Sequence, residues 1–326
     1  MSRTRIFLGI ALCALGLVFL FEVFRPGGAP VAESRTFASS AECRACHAEV
    51  YAEWETSQHA QSWTNPAVRM LSNDFANQDC IDCHAPRPVF HTGIGERVLP
   101  RITRREEGVD CIACHLLPDG RMAGTKTIDS APCRPVATLD LQRPEFCAGC
   151  HNQHKTVDQW RESDWPARGE DCSSCHMPFR DADPNRGRAH VFPGGHDLVT
   201  VQRAVELRGR RVDDRWVIEV ENVGAGHSYP TDERSRSSDL FWRPRGEEKW
   251  RHLYRIRDPY RTETDLASTL LHANTTLTQE ITGPDADGPI EVALFYMRQP
   301  YWKDPADPDP LTADLSALVH AIELVP

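Results

Sequence analysis

The sequence contains little lysine and little methionine. Only four of its 37 basic residues are lysine (Lys126, Lys155, Lys249 and Lys303), and its 326 residues include five methionines. The formal net charge is −10 at pH 7. Nucleic-acid-binding proteins usually have a clustered basic face, so we expect no nucleic-acid partner. Hydrophobic residues make up only 40% of the chain, which suggests that something besides aliphatic side chains fills part of the core.

Cysteine, by contrast, is abundant, and ten of the twelve cysteines fall in five Cys-x-x-Cys-His motifs. Two intervening residues place both thiols on one turn, where they can form thioethers with the two vinyl groups of a haem, and the next histidine reaches the iron. Zinc sites and disulfide frameworks also use cysteine pairs, but neither explains a histidine after every pair. Numbered first to fifth, the motifs are Cys43–His47, Cys80–His84, Cys111–His115, Cys147–His151 and Cys172–His176.

These motifs predict five covalently attached haem c groups. All five lie between residues 43 and 176, a density at which no ordinary aliphatic core can form. We therefore expect closely stacked haems to be the core and to pass electrons between neighbouring irons. The attaching residues would be Cys43, Cys46, Cys80, Cys83, Cys111, Cys114, Cys147, Cys150, Cys172 and Cys175, and the proximal iron ligands His47, His84, His115, His151 and His176.

A second histidine on each iron would make the protein an electron carrier, whereas an open iron would allow catalysis. Of 14 histidines, five are proximal, which leaves nine. On a continuous helix His59 would lie about 18 Å from His47, so it must serve a different haem. His154 lies one turn after His151 and also cannot share its iron. The predicted distal ligands are His59, His154, His190, His196 and His227, with His91 as the alternative for the fifth place.

The first 25 residues are predicted to be a signal peptide or an N-terminal membrane anchor. Residues 6–21 are almost wholly apolar and follow Arg3 and Arg5, as in an export signal. The apolar run is slightly short for a membrane span, and anchoring through residues 6–24 is the alternative to cleavage. Residues 26–40 are predicted to be a linker. Either way the body of the chain is expected outside the cytoplasm, in the periplasm or on the extracellular side, where haem c is attached.

Two domains of different character are predicted after the linker. Residues 41–197 hold all the motifs and are expected to form a mainly α-helical or irregular, haem-packed domain. The clearest helix there is predicted over residues 48–63, and Trp160-x-x-Ser163 repeats its Trp54-x-x-Ser57 pattern. Residues 198–326 are expected to form an all-β sandwich, with strands near residues 201–207, 216–220, 250–256, 275–281 and 291–296.

Three stretches of the sequence resemble exported multihaem cytochromes c that carry an immunoglobulin-like C-terminal domain. They are the segment from Cys46 through Trp54 to His59, the Phe-Pro-Gly-Gly-His-Asp stretch at residues 192–197, and the Gly-His-Ser-Tyr-Pro-Thr loop at residues 226–231. The resemblance implies distal ligation by His59, His196 and His227, with less weight on His190. The loop ends in Asp232 where the family pattern has glycine. Pentahaem nitrite reductases share some motifs, but they usually carry a Cys-x-x-Cys-Lys site, which is absent here.

The favoured interpretation is an electron-transfer protein rather than an enzyme. It would carry electrons through five mostly bis-histidine haems, between a membrane quinol-linked donor or other cytochromes and an acceptor. One alternative is a redox enzyme with one open haem that acts on a small nitrogen or sulfur compound, with Cys133 as a conceivable axial thiolate. The other is a haem-bearing subunit of a filament or larger electron-transfer complex.

Overall fold

The computed structural model describes residues 37–231, 236–260, 262–298 and 316–326, and all of them belong to one compact unit. The predicted signal or anchor segment and most of the predicted linker lie outside the described residues. None of the described helices is long and apolar enough to cross a membrane.

The motif-bearing part of the chain consists of short helices joined by turns. The α-helices are α1 (Ala48–Glu55), α2 (Pro66–Leu71), α3 (Asp79–His84), α4 (Val89–Thr92), α5 (Cys111–His115), α6 (Pro144–His151), α7 (Thr156–Arg161) and α8 (Cys172–His176). Single 3₁₀ turns lie at Ser40–Ala45, Arg105–Glu107, Asp140–Gln142, Pro166–Arg168, Arg180–Ala182 and Pro184–Arg186. A two-residue parallel pair, β1 (Ala123–Gly124) and β2 (Val136–Ala137), completes this part.

The helix predicted over residues 48–63 is shorter than expected, because α1 ends at Glu55 and turns follow it. The Ser57 amide bonds to the Trp54 carbonyl at 2.8 Å, and the Ser57 hydroxyl accepts from the Ala60 amide at 3.2 Å. Serine side chains offer the backbone such alternatives to a continuing helix. His59 therefore lies in a turn.

The C-terminal part contains two antiparallel sheets that share one hydrophobic core. A helix, α9 (Leu198–Ala204), leads into β3 (Val205–Val212), β4 (Arg215–Asn222), β5 (Ser237–Pro244), β6 (Arg251–Arg257), β7 (Thr276–Ile281), a 3₁₀ turn at Pro284–Ala286, β8 (Ile290–Met297) and β9 (Ser316–Leu324). One sheet has the order β3-β4-β7 and the other β6-β5-β8-β9. Ile218 of β4 and Leu294 of β8 lie in the same buried cluster, so the two sheets pack together.

Four of the five predicted strands coincide with β4, β6, β7 and β8. The prediction for residues 201–207 is wrong over its first half, because Asp197 caps α9 by accepting a hydrogen bond from the Thr200 amide at 3.0 Å. Helices combined with antiparallel sheets agree with the expected fold class in its coarse form. The domain boundaries at residues 41–197 and 198–326 stay a prediction.

Truncating the shared core should destabilise the protein strongly. Leu294 is fully buried, so Leu294→Ala should lower the free energy of unfolding by about 2–5 kcal/mol, the range for cavity-forming substitutions. The control is Leu318→Ala, since Leu318 is 46% exposed and its truncation should change stability much less. Chemical denaturation of both variants measures the difference. Equal losses would contradict the assignment of Leu294 to the core.

Candidate haem-binding site

Each of the last four motifs lies on a short helix that presents its thiols and histidine from one turn. The third and fifth motifs have an aspartate directly before the first cysteine. Asp110 accepts from the Ala113 amide at 2.7 Å and Asp171 from the Ser174 amide at 2.8 Å. These N-caps satisfy free amides at the helix start and fix where each helix begins. The first motif instead spans the end of a 3₁₀ turn and the start of α1.

The first thiols of two pairs of motifs are in contact. The Cys43 thiol is hydrogen-bonded to Cys111, which raises the pKa of Cys43 and lowers that of Cys111. Cys147 and Cys172 make the same contact, with the same opposite pKa shifts. In a haem-bearing protein these sulfurs would be thioethers and would not titrate. The contacts therefore show only which motifs lie close together. They place the first motif beside the third and the fourth beside the fifth.

Three proximal histidines each face a second histidine. The ring centres are 6.1 Å apart for His151 and His59, 6.3 Å for His115 and His190, and 6.2 Å for His176 and His227. An imidazole nitrogen binds a metal such as zinc at about 2.0–2.1 Å and lies about 1.2 Å from its ring centre, so two rings across one metal have centres about 6.5 Å apart. These pairs therefore fit one iron each.

Hydrogen bonds give several of these rings the tautomer that an iron ligand needs. The Nδ1 atoms of His115, His176 and His227 lie 2.9, 2.6 and 3.0 Å from the carbonyl oxygens of Ala123, Pro193 and Ser228. A carbonyl only accepts hydrogen bonds, so each Nδ1 carries the proton and Nε2 is the unprotonated nitrogen of the neutral ring. The Nδ1 atoms of His84 and His190 make the same kind of bond, to Ser62 and Arg188.

The His115 and His190 rings are held in the neutral form. Burial, together with the neighbouring His115, lowers the pKa of His190 to about 4. Burial also lowers the pKa of His115. Only a neutral imidazole can bind a metal, so both rings of this pair are ready to do so at neutral pH.

The remaining predicted ligands are not brought opposite a proximal histidine in the described residues. His196 is exposed, and its Nε2 accepts from Arg236 Nη2 at 3.3 Å. His91 is exposed on α4. The Nδ1 atom of His154 is buried without a hydrogen-bond partner among the described residues. Within the same residues, neither His47 nor His84 makes a ring contact with a second histidine. The roles of His91, His154 and His196 stay predictions.

Two residues that the sequence did not single out contact the predicted distal ligands His59 and His190. Glu53 of α1 accepts from the His190 amide at 2.8 Å and from Arg180 at 2.6 and 2.7 Å. The Phe192 ring contacts both His59, at 4.3 Å between centres, and His190, at 5.7 Å. Phe192 lies in the Phe-Pro-Gly-Gly-His stretch, and the unusual composition of that stretch was the only sequence feature that pointed to it. The role of Glu53 could not be predicted from neighbouring residues, because its partners lie 127 and 137 positions away in the sequence.

The loop carrying His227 is docked by contacts outside the imidazole ring. Gln159 of α7 accepts from the Ser228 amide at 3.2 Å and from the Thr231 hydroxyl at 2.8 Å. Gly226 packs so closely on Trp165 that a Cβ there would lie 3.0 Å from its Cγ. A small residue is therefore needed beside His227, which explains one glycine of this loop.

The described residues contain no cluster of three or more His, Cys, Asp or Glu side chains suited to a free metal ion. The structure thus offers no zinc-type site among them. The paired thiols and facing imidazoles instead suit a flat cofactor that takes one ligand on each side.

Comparisons with known proteins point in the same direction. Residues 42–116, which hold the first three motifs, match the family model described as cytochrome c554 and c-prime. The fold is similar to the crystal structure of a penta-haem cytochrome c552 from Thermochromatium tepidum, at 18% identity and a TM-score of 0.62. That match covers 88% of this chain and 98% of the other.

A second match is superoxide reductase from Nanoarchaeum equitans, at 15% identity and a TM-score of 0.20, over 29% of this chain and 81% of the other. No curated protein matches the sequence. The family match and the likeness to the penta-haem protein, set beside the five motifs, support a multihaem cytochrome c that carries haem c.

Proposed function

We propose that this protein is an electron carrier that holds five haems, at least three of them between two histidines. The family match and the penta-haem neighbour support an electron-transfer cytochrome in general terms. The three histidine pairs at about 6 Å carry the finer proposal. Bound haem would supply an iron that gains and loses one electron, at a low potential with bis-histidine ligation.

The arrangement of the chain's own residues favours haems that lie close enough to exchange electrons, rather than haems that are isolated from one another. The contacts of Cys43 with Cys111 and of Cys147 with Cys172 bring the motifs into two close pairs. Phe192 lies between the distal ligands of the third and fourth motifs and joins the two pairs. We propose the order first, third, fourth, fifth for the haems, with the second motif beside them.

We further propose that the protein acts outside the cytoplasm, exported through residues 1–25 or anchored by residues 6–24. Its partners would be a membrane quinol-linked donor or other cytochromes. The immunoglobulin-like character expected for the C-terminal part belongs to this proposal. It is supported by two antiparallel sheets around one core.

A redox enzyme with an open haem is the second candidate, and one observation favours it. His47 and His84 make no ring contact with a second histidine in the part of the chain that the structure describes, and His47 is exposed. A small nitrogen or sulfur compound could bind an iron held by either residue alone.

Spectroscopy of the matured, full-length protein separates the two candidates. Mass spectrometry should find five haems, and EPR with optical spectra should show at least three low-spin ferric haems. A wholly low-spin spectrum favours the carrier, and a high-spin signal that responds to hydroxylamine or sulfite favours the enzyme. Fewer than three low-spin haems, or fewer than five haems in total, would contradict the proposed ligation.

A further inference from the structure

Two segments of the chain make the same set of contacts with a later motif, the third motif for one segment and the fifth for the other. One runs from Trp54 to His59 after the first motif, and the other from Trp160 to Trp165 after the fourth. We propose that each belongs to one copy of a two-motif unit, and that Trp54 and Trp160 are matched positioning residues that set the distance between the two motifs of each copy. This inference deepens the proposed function and rests on it.

The first shared contact is a hydrogen bond from the indole. Trp54 Nε1 donates to the Val109 carbonyl at 2.8 Å, and Trp160 Nε1 donates to the Glu170 carbonyl at 3.0 Å. Val109 lies two residues before Cys111, and Glu170 lies two residues before Cys172. Each indole thus holds the backbone two residues before the first cysteine of a motif, the third motif for Trp54 and the fifth for Trp160.

The second shared contact runs in the opposite direction. The Val109 amide donates to the His59 carbonyl at 2.8 Å, and the Glu170 amide donates to the Trp165 carbonyl at 3.3 Å. His59 and Trp165 each lie five residues after the positioning tryptophan. Both the amide and the carbonyl of the residue two positions before the motif are therefore fixed by the same segment.

The start of the second motif is also the same in both copies. Asp110 caps α5 with φ −108° and ψ 177°, and Asp171 caps α8 with φ −115° and ψ 178°. Each aspartate side chain accepts from the amide three residues later. The contact between the first thiols, Cys43 with Cys111 and Cys147 with Cys172, then completes each copy.

The copies differ in the length of chain that joins their motifs. Trp54 and Val109 are 55 residues apart, whereas Trp160 and Glu170 are 10 apart. The additional residues of the first copy include α2, α3 and α4, and therefore the second motif. The second motif is thus an insertion in the first copy, which explains why spacing along the sequence hides the repeat.

The copies also differ at one functional position. His59 of the first copy faces His151 at the start of the second copy. Trp165 stands at the equivalent position of the second copy and packs on Gly226, next to His227. No Cys-x-x-Cys-His motif follows the second copy, so a histidine at this position would have no later haem to bind. Its tryptophan instead forms the surface on which the loop from the β-sheet part docks.

The test uses full-length, haem-loaded Trp54→Phe and Trp160→Phe, which remove only the indole N–H and its pyrrole edge. Trp54→Phe should shift the EPR g-values of a set of haems that includes the one on the third motif. Trp160→Phe should shift a set that includes the one on the fifth motif and leave the third unchanged. The double variant should show the sum of both changes.

Trp216→Phe is the matched control, because Trp216 Nε1 makes the same kind of bond, 2.9 Å to the Ala286 carbonyl, inside the β-sheet core. It should leave all haem signals unchanged. If both motif variants shift the same haems, or if Trp216→Phe shifts them as well, the proposed repeat is wrong.

Hydrogen exchange of the same haem-loaded variants provides a second measurement, which does not depend on assigning EPR signals to individual haems. Trp54→Phe should speed exchange around Val109 alone, and Trp160→Phe around Glu170 alone. If either variant speeds exchange equally around Val109 and Glu170, the inference is wrong. Failure of the proposed function would show separately, in the haem count and spin state of the unaltered protein.

Discussion

Replacing His227 by alanine is expected to convert one of the five haems, the one on the fifth motif, from low spin to high spin. The His227 ring lies 6.2 Å from that of His176, with the two planes inclined by 10°. The Ser228 carbonyl accepts from its Nδ1, which makes Nε2 the unprotonated nitrogen that an iron would bind. EPR of the ferric variant should therefore show a high-spin signal from about one-fifth of the haem.

The loop should stay in place in this variant, because its docking does not use the imidazole. Gln159 and Trp165 hold the backbone and Gly226 on either side of His227. The space left by the ring should therefore admit free imidazole, and titration with imidazole should restore the low-spin spectrum. Restoration separates loss of a ligand from loss of structure.

The control is His320→Ala. His320 lies on β9, where its Nε2 donates to the Gln202 and Val205 carbonyls, far along the chain from every motif. Its removal should leave the spin state unchanged. A low-spin spectrum in His227→Ala without added imidazole would show that His227 is not an iron ligand.

The parts of the site that could be predicted are those in which chemistry demands a local pattern. A haem needs two thiols and a histidine on one turn, so the Cys-x-x-Cys-His motifs can be recognised without a structure. The histidines that face a proximal partner, His59, His190 and His227, were predicted as candidates. Their pairing was not, because it depends on chain crossings such as that of His59 to His151.

The strand β5 shows why other parts were missed. It begins with Ser237, Ser238 and Asp239, which have the composition of a loop yet are fully buried. Their polar atoms are satisfied across the sheet: Arg255 and His252 of β6 bond to Asp239 at 2.7 and 2.9 Å. A buried polar strand is stable only with such partners, and sequence pattern alone does not reveal partners on another strand.

Removing Glu53 should have the second large effect, on both stability and ligation. Its carboxylate binds the Arg180 guanidinium through two bonds and accepts from the His190 amide. The exposed fractions of the Arg180 and Glu53 side chains are 9% and 19%. Loss of one partner from a buried pair costs about 3–5 kcal/mol, and because Glu53 keeps some exposure we expect Glu53→Ala to lower the free energy of unfolding by about 3 kcal/mol.

Glu53→Ala should also release His190 from its position opposite His115, since the amide bond that orients the His190 backbone is lost. A high-spin signal should then arise from the haem on the third motif. Glu49→Ala is the matched control on the same helix, because Glu49 is 60% exposed, pairs with Arg186 at the surface at 2.7 Å and lies 4.0 Å from Arg180. Surface pairs contribute little, so this variant should keep both stability and spin state.

The charge of Glu53 should make the stability of the folded protein depend on pH. Burial raises the pKa of Glu53, but the hydrogen bonds from Arg180 and from the His190 amide outweigh burial and hold the pKa below its ordinary value of 4.5. A carboxyl group with a depressed pKa in the folded state stabilises that state above its unfolded pKa, and the stabilisation is lost as the pH falls through the folded value.

The unaltered protein should therefore lose stability below about pH 4.5 more steeply than Glu53→Gln, which keeps an acceptor for the His190 amide but cannot titrate. Denaturation midpoints from pH 6 down to about pH 3 measure the difference, and parallel curves for the two proteins would show that folding does not lower the pKa of Glu53.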